Sequence, residues 1–176
     1  MGATTVALFM MHGAIYLHMK TEGPLQARIR QWINPLIIAF IVCYALTTLA
    51  TLLYVPRMTQ VLREQPALFA VVVLLVLAIA NLPREIHCGR DGAAFLSSCA
   101  TMLLLMSLFG LGMFPHMVYS VPDPTHSLTA YNASSTAKTL QIMTLIAAIG
   151  VPIVLTYTTT VYYIFRGKVK IGKDSY

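Results

Sequence analysis

Five apolar stretches of membrane-crossing length occupy most of this 176-residue chain, and none of their cores contains Asp, Glu, Lys or Arg. They cover residues 3–17, 36–55, 68–82, 93–114 and 142–165. A helix that spans a bilayer needs about 20 residues, so each stretch has or approaches the necessary length. Because charged residues make up only 10% of the chain and hydrophobic residues 57%, a water-soluble domain is excluded. The pattern predicts an integral membrane protein.

The predicted fold class is an all-α integral membrane protein, a bundle of five transmembrane helices. Helices are favoured over barrel strands because the stretches are apolar all round and do not alternate in polarity. Residues 1–176 form a single transmembrane region with helices at approximately 2–18, 35–55, 67–82, 93–115 and 139–165.

Three connecting segments complete the predicted organisation. Residues 19–34, which include Trp32, are predicted to form an interfacial segment on the cytoplasmic side, before the second crossing. Residues 116–138 are predicted to form an outer loop, and residues 166–176 a cytoplasmic tail. Pro83 is expected to end the third helix and open the next turn.

The basic residues predict the orientation of the chain. The turns after the first, third and fifth stretches contain nine Lys and Arg residues, and the other turns contain three, Arg57, Arg63 and Lys138. The positive-inside rule therefore places the C-terminus in the cytoplasm. The net charge of +6 is interpreted as contact with anionic membrane lipid and not as nucleic-acid binding.

His12 is the candidate for chemistry, because it is a titratable side chain near the middle of a predicted crossing. It could belong to a proton path, donate to a quinone or ligate haem. The structural alternative is a hydrogen bond to Thr4, Thr5 or a neighbouring helix. His18 follows about 600° further around the helix, so the two histidines are not expected to form a ligand pair.

No catalytic or metal-binding residue is predicted. The chain contains no paired carboxylates, no phosphate-binding Gly-rich loop and no zinc or haem spacing. Two other functions are alternatives. A small transporter or channel subunit would need a polar stripe along two or more helices, and a thiol-active protein would need a cysteine placed to react with Cys88 or Cys99.

A series of short motifs resembles the C-terminal half of cytochrome bd quinol oxidase subunit II. In order, these are HGAIYL at 12–17, KTEG at 20–23 with Leu25, MFP at 113–115, SLT at 127–129, YNASS at 131–135, TL at 139–140, Met143, VPI at 151–153 and FRGK at 165–168. Their order and spacing cover nearly the whole chain.

The resemblance implies a subunit of a respiratory complex in a prokaryotic cytoplasmic membrane, where quinol is oxidised and oxygen is reduced to water. In that family subunit I carries the b- and d-type haems, so no cofactor is expected in this chain. Subunit II is a pseudo-symmetric partner that stabilises the haem-bearing subunit I. The expected partners are subunit I, the N-terminal half of subunit II and membrane lipid.

The family's subunit II is roughly twice as long as this chain, and the part that corresponds to its N-terminal half is missing here. We therefore expect a truncated or naturally split gene product. On this hypothesis, the chain alone does not turn over quinol.

Overall fold

The computed structural model describes residues 1–55, 58 and 66–168. The chain divides into two units, and residues 1–113 and 114–167 belong to different ones. Arg57, Arg63, Lys170 and Lys173, which contributed to the charge argument, and most of the predicted tail lie outside the described residues.

Four α-helices form the described part of the first unit. They are α1 (Gly2–Lys20), α2 (Gly23–Tyr54), α3 (Phe69–His87) and α4 (Asp91–Met113), and a 3₁₀ turn at Pro66–Leu68 precedes α3. Helix α1 packs against α2 and α4, and α3 packs against α4. Short turns connect α1 to α2 and α3 to α4, so each of these pairs is an antiparallel helical hairpin.

The core of the first unit lies where these helices face one another. Buried hydrophobic side chains recur three or four residues apart, as helix faces require. They are Ala7, Leu8, Met11, Ile15, Ile33, Ile37, Phe40, Leu75, Ile79, Leu82, Ile86 and Ala94. Large apolar side chains such as Leu46, Leu77 and Leu103 remain exposed, which suits a surface covered by lipid.

The second unit contains a small hairpin followed by a long helix. Strand β1 (His116–Val118) pairs antiparallel with β2 (Leu128–Thr129), and a 3₁₀ turn at Pro124–His126 lies between them. Helix α5 (Ala137–Ile164) follows. It begins after Thr136, whose hydroxyl oxygen accepts a hydrogen bond from the amide of Thr139 and so caps the helix. The predicted outer loop is thus an ordered hairpin.

The predicted fold class is confirmed. Helices α2, α3, α4 and α5 are long and apolar enough to cross a membrane, whereas α1 falls short because His12, His18 and two threonines dilute its apolar character. Yet α1 lies alongside two of these helices. Its Thr4 hydroxyl is 2.6 Å from that of Thr47 in α2, and its His18 meets Asp91 in α4. A crossing by α1 therefore remains our prediction.

The predicted start of the second helix near residue 35 is wrong, because α2 continues without a break from Gly23 to Tyr54. The interfacial position predicted for residues 19–34 stays a prediction. Pro35 removes one backbone donor inside this helix. However, Ile33 before the proline and Ile37 after it are buried in the same core, which keeps the two parts in one helix. The helix is about 48 Å long at 1.5 Å per residue, so it is longer than the ~30 Å hydrocarbon core.

The expected end of the third helix at Pro83 is also wrong, since α3 runs on to His87. Burial of Leu82 and Ile86 holds the residues on both sides of the proline. The helix ends instead in a Schellman motif: the amide of Arg90 donates to the carbonyl of Glu85 at 3.0 Å, and that of Gly89 to Ile86 at 3.3 Å. Gly89 has a φ of 71°, a conformation that glycine adopts without strain.

Candidate functional site

His12 forms a polar contact between two helices. Its Nδ1 lies 2.8 Å from the hydroxyl oxygen of Ser98 in α4. Ser98 is fully buried and donates its single hydroxyl hydrogen to the carbonyl of Phe95 at 2.7 Å. His12 Nδ1 is therefore the donor in the contact between the helices. The ring of Phe95 covers the imidazole, with 5.2 Å between the ring centroids.

This geometry corresponds to the structural alternative for His12, in which the imidazole bonds to a neighbouring helix. The partner is neither Thr4 nor Thr5. Thr4 donates to the carbonyl of Cys43, and the Thr5 hydroxyl donates to Met1 within its own helix. Sequence reasoning could not select Ser98, because 86 residues separate it from His12.

A second set of polar groups lies where α1 and α3 end and α4 begins. We call His18, Glu85, Arg90 and Asp91 the helix-end cluster. His18 Nε2 is 3.4 Å from a carboxylate oxygen of Asp91, and Glu85 Oε2 is 3.8 Å from the guanidinium of Arg90. His18 is 8% exposed and Glu85 only 5% exposed, although glutamate is almost never buried unless it is paired.

The helix-end cluster is incompletely hydrogen bonded. Within the described part of the chain, neither Nδ1 of His18 nor Oε2 of Glu85 has a hydrogen-bond partner. A buried polar atom without a partner costs about 1–3 kcal/mol. The contacts of His18 with Asp91 and of Glu85 with Arg90 fasten the start of α4 to α1 and to the end of α3, but each leaves one buried atom without a hydrogen bond.

Sequence reasoning missed Glu85 because Pro83 was expected to place it in an aqueous turn. A signal was available in the spacing of Leu75, Ile79, Leu82 and Ile86, which continues one apolar helix face past the proline. Glu85 lies between the last two of these positions and faces the same core.

Further polar contacts connect the remaining helix pairs. The amide of Asn81 in α3 donates to the hydroxyl of Ser97 in α4 at 2.8 Å. The guanidinium of Arg30 in α2 donates to the backbone carbonyl of Ile86 at the end of α3. In a bilayer, where apolar burial contributes little to association between helices, such contacts and close packing hold a bundle together.

The hairpin of the second unit is held by the side chains of the SLT and YNASS motifs. Asn132 accepts from the amide of Thr129 at 2.7 Å and donates to the carbonyl of Ser127 at 2.9 Å. The hydroxyl of Ser127, itself 2% exposed, accepts from the amide of Ser120 at 3.2 Å. These residues therefore fix the path of the loop.

The hairpin also contains a carboxylate with a perturbed pKa. The hydroxyl of Thr125 donates to Asp123 at 2.7 Å and its amide at 2.9 Å. Both bonds favour the ionised form and lower the pKa of Asp123 below its ordinary value of 3.8. His126 Nδ1 is 3.8 Å from the same carboxylate, and both side chains are largely exposed.

Other ligand chemistry has little support in the described ranges. In residues 1–55 and 66–168, no three His, Cys, Asp or Glu side chains come together in a way that could hold a metal ion. Cys43, Cys88 and Cys99 are free thiols, and Cys88 is exposed. Two grooves, of about 430 and 640 Å³, open on the first unit, and neither His12 nor His18 lines either one.

The architecture and the site together define a multi-pass helical membrane protein whose helices are joined by polar contacts. The family model for cytochrome bd terminal oxidase subunit II matches residues 1–165. The chain therefore belongs to the cytochrome bd terminal oxidase subunit II family. This confirms the family predicted from the sequence motifs, and the transporter or channel alternative is not favoured.

Three relatives show the extent of the similarity. The chain is 28% identical to cytochrome bd-I ubiquinol oxidase subunit 2 of Escherichia coli K12, over 96% of this chain and 51% of the relative. It is 26% identical to cytochrome bd ubiquinol oxidase subunit 2 of Bacillus subtilis 168, over 96% and 49%. It is 27% identical to a probable cytochrome oxidase subunit 2 of Haemophilus influenzae Rd, over 92% and 49%. The chain spans about half the length of these relatives.

Proposed function

We propose that this chain is a non-haem structural part of a quinol:oxygen oxidoreductase in a prokaryotic cytoplasmic membrane. The observation that carries the proposal is the family match across residues 1–165, most of the chain. The relatives named for ubiquinol oxidation supply the substrate class of the assembly. On this proposal, the chain stabilises the haem-bearing subunit I, and electrons pass through that partner.

The placement of the histidines supports a haem-free role. A haem iron needs an imidazole nitrogen directed into a cavity large enough for the porphyrin. His12 is bonded to Ser98 and covered by Phe95, and His18 is buried beside Asp91. These two side chains do not fit a haem site, so we propose that the b- and d-type haems of the complex are ligated by the partner.

We further propose that the chain packs against a polypeptide equivalent to the other half of subunit II. The support is the coverage, since the chain accounts for about half of each relative. The exposed apolar side chains of α2, α3 and α4 provide surface for such packing as well as for lipid. The basic residues support a cytoplasmic location for the residues after α5.

Affinity purification of the tagged full chain from its native membranes tests the proposal. We expect a haem-containing partner to be recovered, with b- and d-type haem bands in the reduced-minus-oxidised spectrum. Recovery of this chain alone and colourless would refute the proposed function.

Two variants test where the haem is bound. His12→Ala and His18→Ala are expected to leave the haem bands per purified complex unchanged. His126→Ala, in the exposed hairpin, is the matched control. Loss of a haem band in His12→Ala, with both polypeptides still recovered, would assign a ligand to this chain.

A further inference from the structure

The groove of about 430 Å³ lies between the N-terminal part of α2 and the C-terminal end of α3. Three side chains make one end of it polar, namely Arg30, Asn34 and His87. Ile37 and Ile38, further along α2, and Pro83, one turn before His87 in α3, make the other end apolar, and Ile86 lines the groove beside His87. Arg30 and Ile38 are eight residues apart in one helix, which corresponds to about 12 Å along its axis. The groove thus changes from polar to apolar over about the length of a lipid headgroup and the upper part of its acyl chain.

The charge of the polar end is positive. Arg30 has no ion-pair partner among the described residues, and no carboxylate lines the groove. One of its N–H groups donates to the carbonyl of Ile86, at the C-terminal end of α3. A guanidinium has five N–H donors, so this bond fixes its position and leaves others for a ligand. A guanidinium held in this way matches the oxygens of a phosphate.

The position of the groove along the membrane normal also corresponds to the level of the lipid headgroups. Trp32 lies on the same turn of α2 as Arg30 and is 63% exposed. Exposed tryptophans in membrane helices favour the headgroup level. Helix α2 is longer than the hydrocarbon core is thick, so its N-terminal turns extend to that level. The predicted orientation makes this the cytoplasmic side, where basic pockets between helices bind anionic lipids.

From these observations we infer that the groove between α2 and α3 binds an anionic phospholipid. Its phosphate is bound by Arg30, Asn34 and His87, and the upper part of an acyl chain lies along Ile37, Ile38 and Pro83. This site does not depend on the proposed oxidase function, because it is formed by two helices of this chain and by the charge of Arg30.

The test measures lipid retained by the full chain, purified with whatever partners it brings from the membrane. The protein is delipidated and exposed to phosphatidylcholine vesicles with or without phosphatidylglycerol, and bound lipid is quantified by native mass spectrometry. We expect phosphatidylglycerol to be retained in preference to phosphatidylcholine. Arg30→Gln is expected to weaken this retention about tenfold, since it removes a charge-assisted contact with the phosphate.

Arg28→Gln is the matched control. Arg28 is exposed and lies about 200° around α2 from Arg30, so it contributes a similar charge on a different face. Its substitution is expected to leave retention unchanged. Because Arg30 also bonds to the end of α3, Asn34→Leu provides a second variant that leaves this bond intact. It is expected to reduce retention several-fold.

Several results would overturn the inference. An equal loss in Arg28→Gln and Arg30→Gln would indicate general surface charge. Equal retention of phosphatidylcholine would show that the groove does not select an anion, and competition by soluble glycerol phosphate would indicate a free phosphate ligand. Failure of the unsubstituted protein to retain phosphatidylglycerol would show that the groove does not bind this lipid.

Discussion

The contact between His12 and Ser98 gives a sharp test of how the first unit is held together. Ser98→Ala removes an acceptor from a fully buried position and leaves His12 Nδ1 without its partner across the helix interface. Hydrogen bonds between membrane helices contribute about 0.6 kcal/mol on average and up to about 1.7 kcal/mol. Because the lost acceptor is buried, we expect destabilisation of about 1 kcal/mol, within this range.

Ser107→Ala is the matched control on the same helix. The Ser98 hydroxyl also bonds within its helix, to Phe95, and the exposed Ser107 bonds in a similar way to Leu103 at 2.9 Å. Both substitutions therefore remove a hydroxyl bonded within the helix, but Ser98→Ala also removes a contact between helices. The control is expected to change the free energy of unfolding by less than about 0.5 kcal/mol.

The assay is reversible unfolding of the purified full chain in mixed micelles with increasing sodium dodecyl sulfate. A double-mutant cycle with His12→Ala and Ser98→Ala isolates the pair, and the expected coupling energy is about 0.6 kcal/mol. If the two serine variants are equally stable, or if the cycle gives no coupling, the polar contact does not stabilise the bundle and our reasoning fails.

Three further predictions concern other parts of the chain. Glu85→Leu is expected to raise the free energy of unfolding by about 1 kcal/mol in the same assay, because it replaces a buried, incompletely bonded carboxylate; a loss of stability would contradict this. Gly89→Ala is expected to lower the free energy of unfolding by about 1 kcal/mol because its φ is 71°, whereas Gly92→Ala inside α4 is expected to raise it. If both substitutions changed the free energy of unfolding in the same direction, Gly89 would not be required for the turn after α3. Thr125→Val is expected to raise the pKa of Asp123, measured by carboxyl NMR titration, and an unchanged pKa would show that these bonds do not lower it.

The sign of the Asp123 effect follows from linkage. Its pKa in the folded hairpin is lowered, first by the hydroxyl of Thr125 and then by its amide. The hairpin therefore gains stability from this carboxylate above the ordinary pKa of 3.8 and loses it as the pH falls through the lower folded value. Because the Asp123 side chain is 49% exposed, salt and water screen the effect, and the pKa itself is the quantity to measure.

The hairpin suggests why two of the family motifs have their particular residues. Asn132 uses both ends of its amide within the loop, and Ser127 is buried against the amide of Ser120. A loop backbone that is not in a helix or a long strand must find other hydrogen-bond partners. The SLT and YNASS motifs supply them, so their first role is to fix the loop.

The class of protein and the approximate positions of the helices follow from the amino-acid sequence alone. An apolar stretch of about 20 residues without charges is stable as a membrane helix whatever its neighbours are, because the helix satisfies its own backbone. The family is likewise recognisable from the ordered motifs, because each motif can be read from the sequence without knowledge of the contacts that it makes in the folded chain.

The continuation of the helices past their prolines, and the pairing of the polar groups, depend instead on how the helices pack against one another. Pro35 and Pro83 do not end their helices because the residues on both sides are buried in one core, and that burial depends on neighbouring helices. Once α3 continues, Glu85 faces inward and Ile86 comes within reach of Arg30. His12 likewise finds Ser98 only after α1 packs against α4, because the contact joins residues far apart in the chain.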